Sequence, residues 1–423
     1  MTDQTTATST QANQSKTIQG APYPTAAALP TQQAPKNIRF DFNEGCRVHL
    51  PLLGETEGTW RIELADLDTG NILFAQTGLS QALVRSSKRW YVRFGITVWQ
   101  DVTAEDGKVT STQVFSHAYD SKNKQVLIIF PVGTLGDTLA WVPYAARFAE
   151  TRQAQVTCAM SELLIPLFQN AYPHINFVTH DDVRTKKLTE QAYATYYLGL
   201  FFDDATCDWQ PSDFRLVGLH KTAAYILGVS PKEEPAKISF PDEGRPIEEP
   251  YVCIAAQASS QCKYWNNPTG WDEVIKWLKA QGYRVICIDQ KTVHGTGIVW
   301  NHIPYEAEDQ TGSRPLTERA RWLKHAEFFI GLGSGLSWLA WSTGTPVVMI
   351  AGFSHPTTEF ETPFRIINWH TCNSCWNDPK ERFDHHDFLW CPRHANTPRQ
   401  FECTRLITAK QVIETIKPIV HKK

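Results

Sequence analysis

Gln125-Val126-Leu127-Ile128-Ile129-Phe130-Pro131-Val132-Gly133-Thr134-Leu135-Gly136-Asp137 is the stretch that decides the fold. Its apolar run, 126–130, is what a strand buried on both faces of a parallel sheet requires, since helices cover both sides of such a sheet. A turn with two glycines follows and opens a helix. A second strand at 156–160, a helix through Leu163 and Phe168, and a third strand at 175–178 continue the rhythm. That is β-α-β-α-β, one half of a doubly wound α/β fold.

Downstream, a Pro- and Glu-rich stretch at 231–250 reads as a linker, and the rhythm restarts after it. Strand 251–256, helix 271–280, strand 283–289, helix 316–325, strand 328–332, a helix from Gly335 and strand 346–350 make a second half. The first of these helices spaces Trp271, Val274, Ile275 and Leu278 along one buried face. Two such halves imply a ligand cleft between them, at the carboxyl ends of the strands.

Upstream, 37–123 has a β texture, with strands expected at 38–42, 59–64, 91–99 and 112–115. Turn signals such as Asp68-Thr69-Gly70-Asn71 and Glu105-Asp106-Gly107 separate them. No acid, base and nucleophile cluster there, so a structural or interaction role is expected. Residues 1–36, rich in Thr, Gln, Ala and Pro, bury too little apolar surface to offset chain entropy and read as a disordered arm. The expected divisions are 1–36, 37–123, 124–245, 246–355 and 356–423.

With 423 residues the chain calls for two or three domains. A formal net charge of −3 offers no basic field for nucleic acid. No apolar run is long enough for a membrane span, and the amino terminus lacks the basic start and apolar stretch of a signal peptide. A cytoplasmic location is therefore expected, and with it ten cysteines present as thiols or metal ligands rather than disulfides. Fifteen tryptophans suit carbohydrate handling, subunit contacts or plain core filling.

Three strand-to-helix turns could carry chemistry. In the first, Gly133-Thr134-Leu135-Gly136-Asp137, glycines let the backbone approach a ligand and a helix start offers free N–H groups. It fits neither the dinucleotide fingerprint nor a Walker lysine motif. Asp137 would face the cleft, where a carboxylate can take a proton from a hydroxyl; a helix-capping aspartate is the plainer alternative. The second turn, Ser259-Ser260-Gln261-Cys262-Lys263-Tyr264-Trp265, places a lysine where it could pair with phosphate, or lie solvated on the surface. The third, Gly331-Leu332-Gly333-Ser334-Gly335-Leu336-Ser337-Trp338, makes an anion cradle at a helix start, or a turn whose glycines serve packing.

Leu135-Gly136-Asp137 with Pro143 in the following helix, Lys263-Tyr264-Trp265, and Gly335-Leu336-Ser337 resemble the lipopolysaccharide heptosyltransferase superfamily, glycosyltransferase family 9. The resemblance implies a GT-B fold, an ADP-heptose donor held by the C-terminal half, Asp137 as base and Lys263 on phosphate. The N–H groups of Ser334, Gly335 and Leu336 would hold the departing diphosphate. Thr134, Leu135, Gly136 and Asp289 are candidates for further donor contacts. One position departs: relatives commonly carry an acidic residue two before the helix glycine, and here it is Gly333.

Near the C-terminus, Cys372, Cys375, Cys391 and Cys403 form a four-thiolate pattern, with His370, His385, His386 and His394 close by in sequence. Soft thiolates suit zinc or iron. The β-rich segment, the paired Rossmann-like halves and these cysteines together resemble the bacterial autotransporter heptosyltransferases. That resemblance implies iron rather than zinc, one per chain and structural, a dodecameric assembly, and serine acceptors on autotransporter adhesin passenger domains. The expected class is thus α/β, a GT-B fold with an N-terminal β-rich domain and a C-terminal four-cysteine metal segment. The metal segment is expected to stand apart from the chemistry at Asp137. A lipopolysaccharide-core heptosyltransferase and a non-catalytic, metal-stapled nucleotide binder are the rival readings.

Overall fold

The computed structural model describes residues 26–131 and 133–420. Gln125–Ile129 lies inside a parallel sheet, between Gln155–Ala159, which is followed outward by Asn176–Val178, and Ala194–Tyr197 on the other side. Val126, Leu127, Ile128 and Ile129 are all buried, as their continuous apolar run demands. The long helix Leu135–Arg152 leaves the carboxyl end of this strand and buries Leu139, Trp141, Val142 and Phe148 against the sheet. The strand Ala194–Tyr197 is not among those expected from sequence. It has only four residues, and its tyrosines disguise a fully buried element.

The β texture of 37–123 divides between two sheets. Thr59–Asp66, Ile72–Leu79, Phe94–Thr103 and Val109–Ala118 form a four-stranded antiparallel sheet. Arg39–Asn43, however, pairs in parallel with Ala194–Tyr197, and Arg47–Leu50 and Ala82–Arg85 extend the same Rossmann sheet antiparallel. Sequence alone disguises this because one face of Arg39–Asn43 is polar. Asp41 and Asn43 are nevertheless buried: Arg47 ion-pairs with Asp41 at 2.6 Å, and Asn43 accepts from the Thr195 hydroxyl at 2.6 Å. A buried charge is tolerable when it is paired and hydrogen-bonded in this way. Residues 26–36 of the expected arm run against this network, with Gln32–Gln33 paired to Arg39–Asn43 and Arg47 donating to the Ala27 carbonyl. The rest of that arm, 1–25, lies outside the described residues.

The second half is a parallel sheet in the order Glu308–Asp309, Arg284–Cys287, Tyr251–Ile254, Phe329–Leu332, Val347–Ile350, Arg365–Ile366. Helices Gly270–Ala280, Leu316–His325, Gly335–Ser342 and Ala409–Val420 pack on it. An antiparallel hairpin, Val293–Thr296 with Val299–His302, projects from this half with Ile298 and Trp300 exposed; it too is absent from the elements expected from sequence. The linker has no regular element but is pinned to both halves, through Ser239 N–H to the Leu167 carbonyl and Arg321 Nε to the Gly244 carbonyl. Trp60, Trp141 and Trp338 fill the core, whereas Trp300 and Trp369 are exposed. Among the described residues no helix is long and apolar enough to cross a membrane.

Candidate functional site

The first turns of two helices, one from each half, meet across the cleft. A Cβ on Gly335 would lie 3.0 Å from Leu135 Cβ and 3.1 Å from Gly136 N. One on Gly136 would lie 3.3 Å from Trp338 Cδ1 and 3.4 Å from Gly335 Cα. Only glycine at both positions permits so close an approach without displacement. Two helix N-termini, each with unsatisfied N–H groups and a partial positive charge, therefore converge on one place.

Asp137 is the third residue of its helix; the capping position belongs to Thr134, so Asp137 is not a helix-capping aspartate. Thr134 Oγ1 donates to Asp137 Oδ2. Burial pushes the Asp137 carboxyl above the usual aspartate range, against the pull of the Thr134 hydrogen bond and the Lys263 charge. A carboxylate so placed is a competent proton acceptor. Across from it, the Ser334 N–H is already given to the Leu332 carbonyl at 2.7 Å, and Ser337 N–H to the Ser334 carbonyl at 3.1 Å. Among the described residues, the N–H groups of Gly335 and Leu336 have no partner, and the Ser334 hydroxyl makes no cap. The cradle thus offers two backbone donors and one hydroxyl rather than three backbone donors.

Lys263 ends the short turn Gln261–Lys263 and is half-buried. Its Nζ sits 5.4 Å from the centre of the Phe353 ring and 5.7 Å from that of Phe383, and among the described residues it has no ion-pair partner. Two ring faces hold the ammonium without neutralising it, which leaves its charge for an anion.

Phe383 belongs to the C-terminal segment, and here the structure corrects the sequence. The segment does not stand apart from the chemistry. The Phe388 carbonyl accepts from Gln261 N–H at 2.8 Å and from Ser260 Oγ at 3.0 Å, fixing the turn that carries Lys263. Trp376 packs edge-on against Phe202 and beside Phe214 of the first half, and Asn377 Nδ2 donates to the Arg215 carbonyl at 2.7 Å. The segment therefore lines the donor side and bridges both halves.

Its cysteines share one neighbourhood. Burial, then the charges of Cys375, Cys262, Cys391 and Cys372, push the Cys403 thiol up, and Cys375 responds likewise to Cys372 and Cys391. Four soft thiols are the donor chemistry that iron or zinc prefers. In this arrangement, among the described residues, no three His, Cys, Asp or Glu side chains are close enough to grip an ion. Cys262, from the Lys263 turn, shares an apolar cluster with Cys375 and Cys372, which the spacing of the other four does not reveal.

Asp289 is buried and pushed up to about 6 by that burial. Its Oδ2 accepts from Ala256 N–H at 2.7 Å and its Oδ1 from Gln257 N–H at 3.3 Å. It shapes the turn after Tyr251–Ile254.

Residues 34–102 match the family model described as the glycosyltransferase TibC N-terminal domain, and residues 217–380 that of glycosyltransferase family 9 (heptosyltransferase). The chain is 52% identical over 384 residues to the autotransporter heptosyltransferase BAHTCr of Citrobacter rodentium, covering 91% of this chain and 89% of that protein. It is 44% identical over 396 residues to BimC of Burkholderia thailandensis, which is named an inactive autotransporter heptosyltransferase, covering 93% and 88%. A crystal structure of TibC from enterotoxigenic E. coli H10407, described as an iron-containing dodecameric glycosyltransferase, superposes with a TM-score of 0.85 at 51% identity, covering 94% of this chain and 99% of that one. TibC has also been solved in complex with ADP-D-β-D-heptose.

Proposed function

The chain belongs to the autotransporter heptosyltransferases, and from that premise we propose that it moves heptose from ADP-heptose to serine hydroxyls of an autotransporter adhesin passenger domain, in the cytoplasm and with inversion. The observation that carries the reading is the meeting of the Leu135 and Gly335 helices, which sets a half-buried carboxylate against an uncommitted anion cradle and a lysine without an ion-pair partner among the described residues.

Asp137 accepts the serine proton as the serine oxygen bonds to the anomeric carbon of the heptose. The bond from that carbon to the diphosphate breaks, and its electron pair leaves with ADP. Lys263, the N–H groups of Gly335 and Leu336, and the Ser334 hydroxyl take up the charge of the departing diphosphate. Helix termini and a lysine supply this neutralisation without a divalent cation. Thr134 orients the Asp137 carboxylate, while Leu135 and Gly136 set the distance between the two turns.

Cys372, Cys375, Cys391 and Cys403 would hold one structural iron per chain, with zinc as the alternative ion. Four protein ligands leave no open position, so the ion supplies rigidity and not bond-making. The assembly is a dodecamer by likeness to TibC.

Because one relative is named inactive, turnover itself is the test. Intact mass of a passenger domain co-expressed with the chain should rise in increments of one heptose. An unmodified passenger, with ADP-heptose still bound by the purified chain, would instead favour a nucleotide-sugar binder without transfer.

A further inference from the structure

Behind the glycine-rich turn of the second half lies a charged pair with no part in the transfer chemistry so far. Glu359 and Arg365 are 5% and 8% exposed, and Glu359 Oε2 lies 3.1 Å from Arg365 Nη1. That contact is too poorly aligned for a hydrogen bond. Neither Oε2 nor Arg365 Nη1 or Nη2 has a hydrogen-bond partner among the described residues. Oε1 accepts from the Ser354 hydroxyl at 2.8 Å. A buried carboxylate and guanidinium left partly unsatisfied are costly to the fold, which makes them candidates for a ligand.

Position explains the arrangement. Glu359 Oε1 would lie only 2.7 Å from a Cβ on Gly333. In this chain the carboxylate comes from a loop 26 residues downstream and lies against the bare Gly333 backbone, which is itself partly exposed at the cleft. Any side chain at 333 would push the carboxylate back or seal it from a ligand lying on the turn.

We propose that Glu359 is the hydroxyl-accepting, sugar-selecting residue of the donor site, reaching past Gly333 to the heptose while Arg365 stands behind it at 3.1 Å. A carboxylate beside an anion cradle repels phosphate and binds hydroxyls, so its place is on the sugar rather than the diphosphate. The proposal rests on the reading of this chain as an ADP-heptose binder, and the test separates the two.

Three variants of the full chain, Glu359→Gln, Glu359→Asp and Gly333→Ala, are titrated with ADP and with ADP-heptose by calorimetry. Glu359→Asp keeps the charge that Arg365 needs and only withdraws it; Gly333→Ala keeps both charges and fills the gap. ADP affinity should stay within about twofold of wild type. ADP-heptose affinity should fall roughly ten- to hundredfold, as for loss of a hydrogen bond to a charged group. If Glu359→Asp and Gly333→Ala keep the wild-type ratio of ADP-heptose to ADP affinity, Glu359 is only a structural partner of Arg365 and the proposal is overturned. It is overturned equally if both ligands weaken together. A wild-type chain that binds neither ligand would instead sink the donor reading itself.

Discussion

The strand-to-helix turn at 133–137 follows the first strand of its half and that at 331–337 follows a later strand of the other, yet both bring glycine to a helix start. They are nonetheless chemically opposite. The first carries a carboxylate, Asp137, held by Thr134 and pushed toward its protonated form by burial. The second carries no carboxylate of its own and leaves the N–H groups of Gly335 and Leu336 free. One fold element thus serves a proton acceptor in one half and an anion cradle in the other. The side chain at the third helical position and the traffic of backbone donors make the difference.

The sharpest way to break this contrast is to remove the charge from the first turn. Asp137→Asn should retain ADP binding but lose transfer on the order of 10²–10⁴-fold, because an amide cannot accept the serine proton. Initial rates on a purified passenger domain measure it, and near wild-type transfer would remove Asp137 from the mechanism.

Next in size is the spacing between the turns. Gly335→Ala sets a methyl 3.0 Å from Leu135 Cβ and 3.1 Å from Gly136 N, so the helices must part. A 1 Å misplacement costs about 10²-fold in rate, so the few tenths of an ångström needed here should cost roughly tenfold. Gly136→Ala meets its neighbours no closer than 3.3 Å and should cost less. The reverse ranking would mean that the contact does not set the catalytic distance.

Lys263→Ala should weaken ADP and ADP-heptose alike by about 1.5–3 kcal/mol, the usual worth of a hydrogen bond to a charged group. It should also shift the pH profile. Asp137 must be deprotonated to act as base, so the rate falls as pH drops through its raised pKa. Lys263 holds that pKa down, and its removal moves the acid limb to higher pH. Unchanged ADP affinity with an unmoved limb would return Lys263 to the surface.

The smallest expected effect on the chemistry comes from the cysteines. Cys372→Ser or Cys403→Ser should reduce solubility or assembly first, since metal binding is coupled to folding. The segment also fixes the Lys263 turn through Phe388 and Phe383, so ADP affinity should fall as well. Elemental analysis should find about one iron per chain. Zinc alone would keep the staple and change the ion, and four freely titrating thiols in folded protein would remove it.

Much of the architecture is legible in the sequence. Continuous apolar runs such as 126–130 and the helical stripe through Trp271, Val274, Ile275 and Leu278 are local signals, and the paired Rossmann-like halves follow from them. The helix at 316–325 appears with those bounds. Asp137, Lys263 and Gly335 each stand in a turn that local chemistry singles out. Arg39–Asn43 reads as a strand in the sequence but not as part of the Rossmann sheet, because its buried polar face depends on Arg47 and Thr195.

What only the tertiary structure decided are the meetings between distant residues. Gly136 touches Gly335, Lys263 lies between Phe353 and Phe383, and Glu359 stands in the space that Gly333 leaves. The cysteine segment reaches both halves through Trp376 and Phe388. No propensity or periodicity encodes such contacts. They depend on the order in which parallel strands pack and on where loops cross the carboxyl ends of two sheets, and that is settled by packing of the whole chain at once.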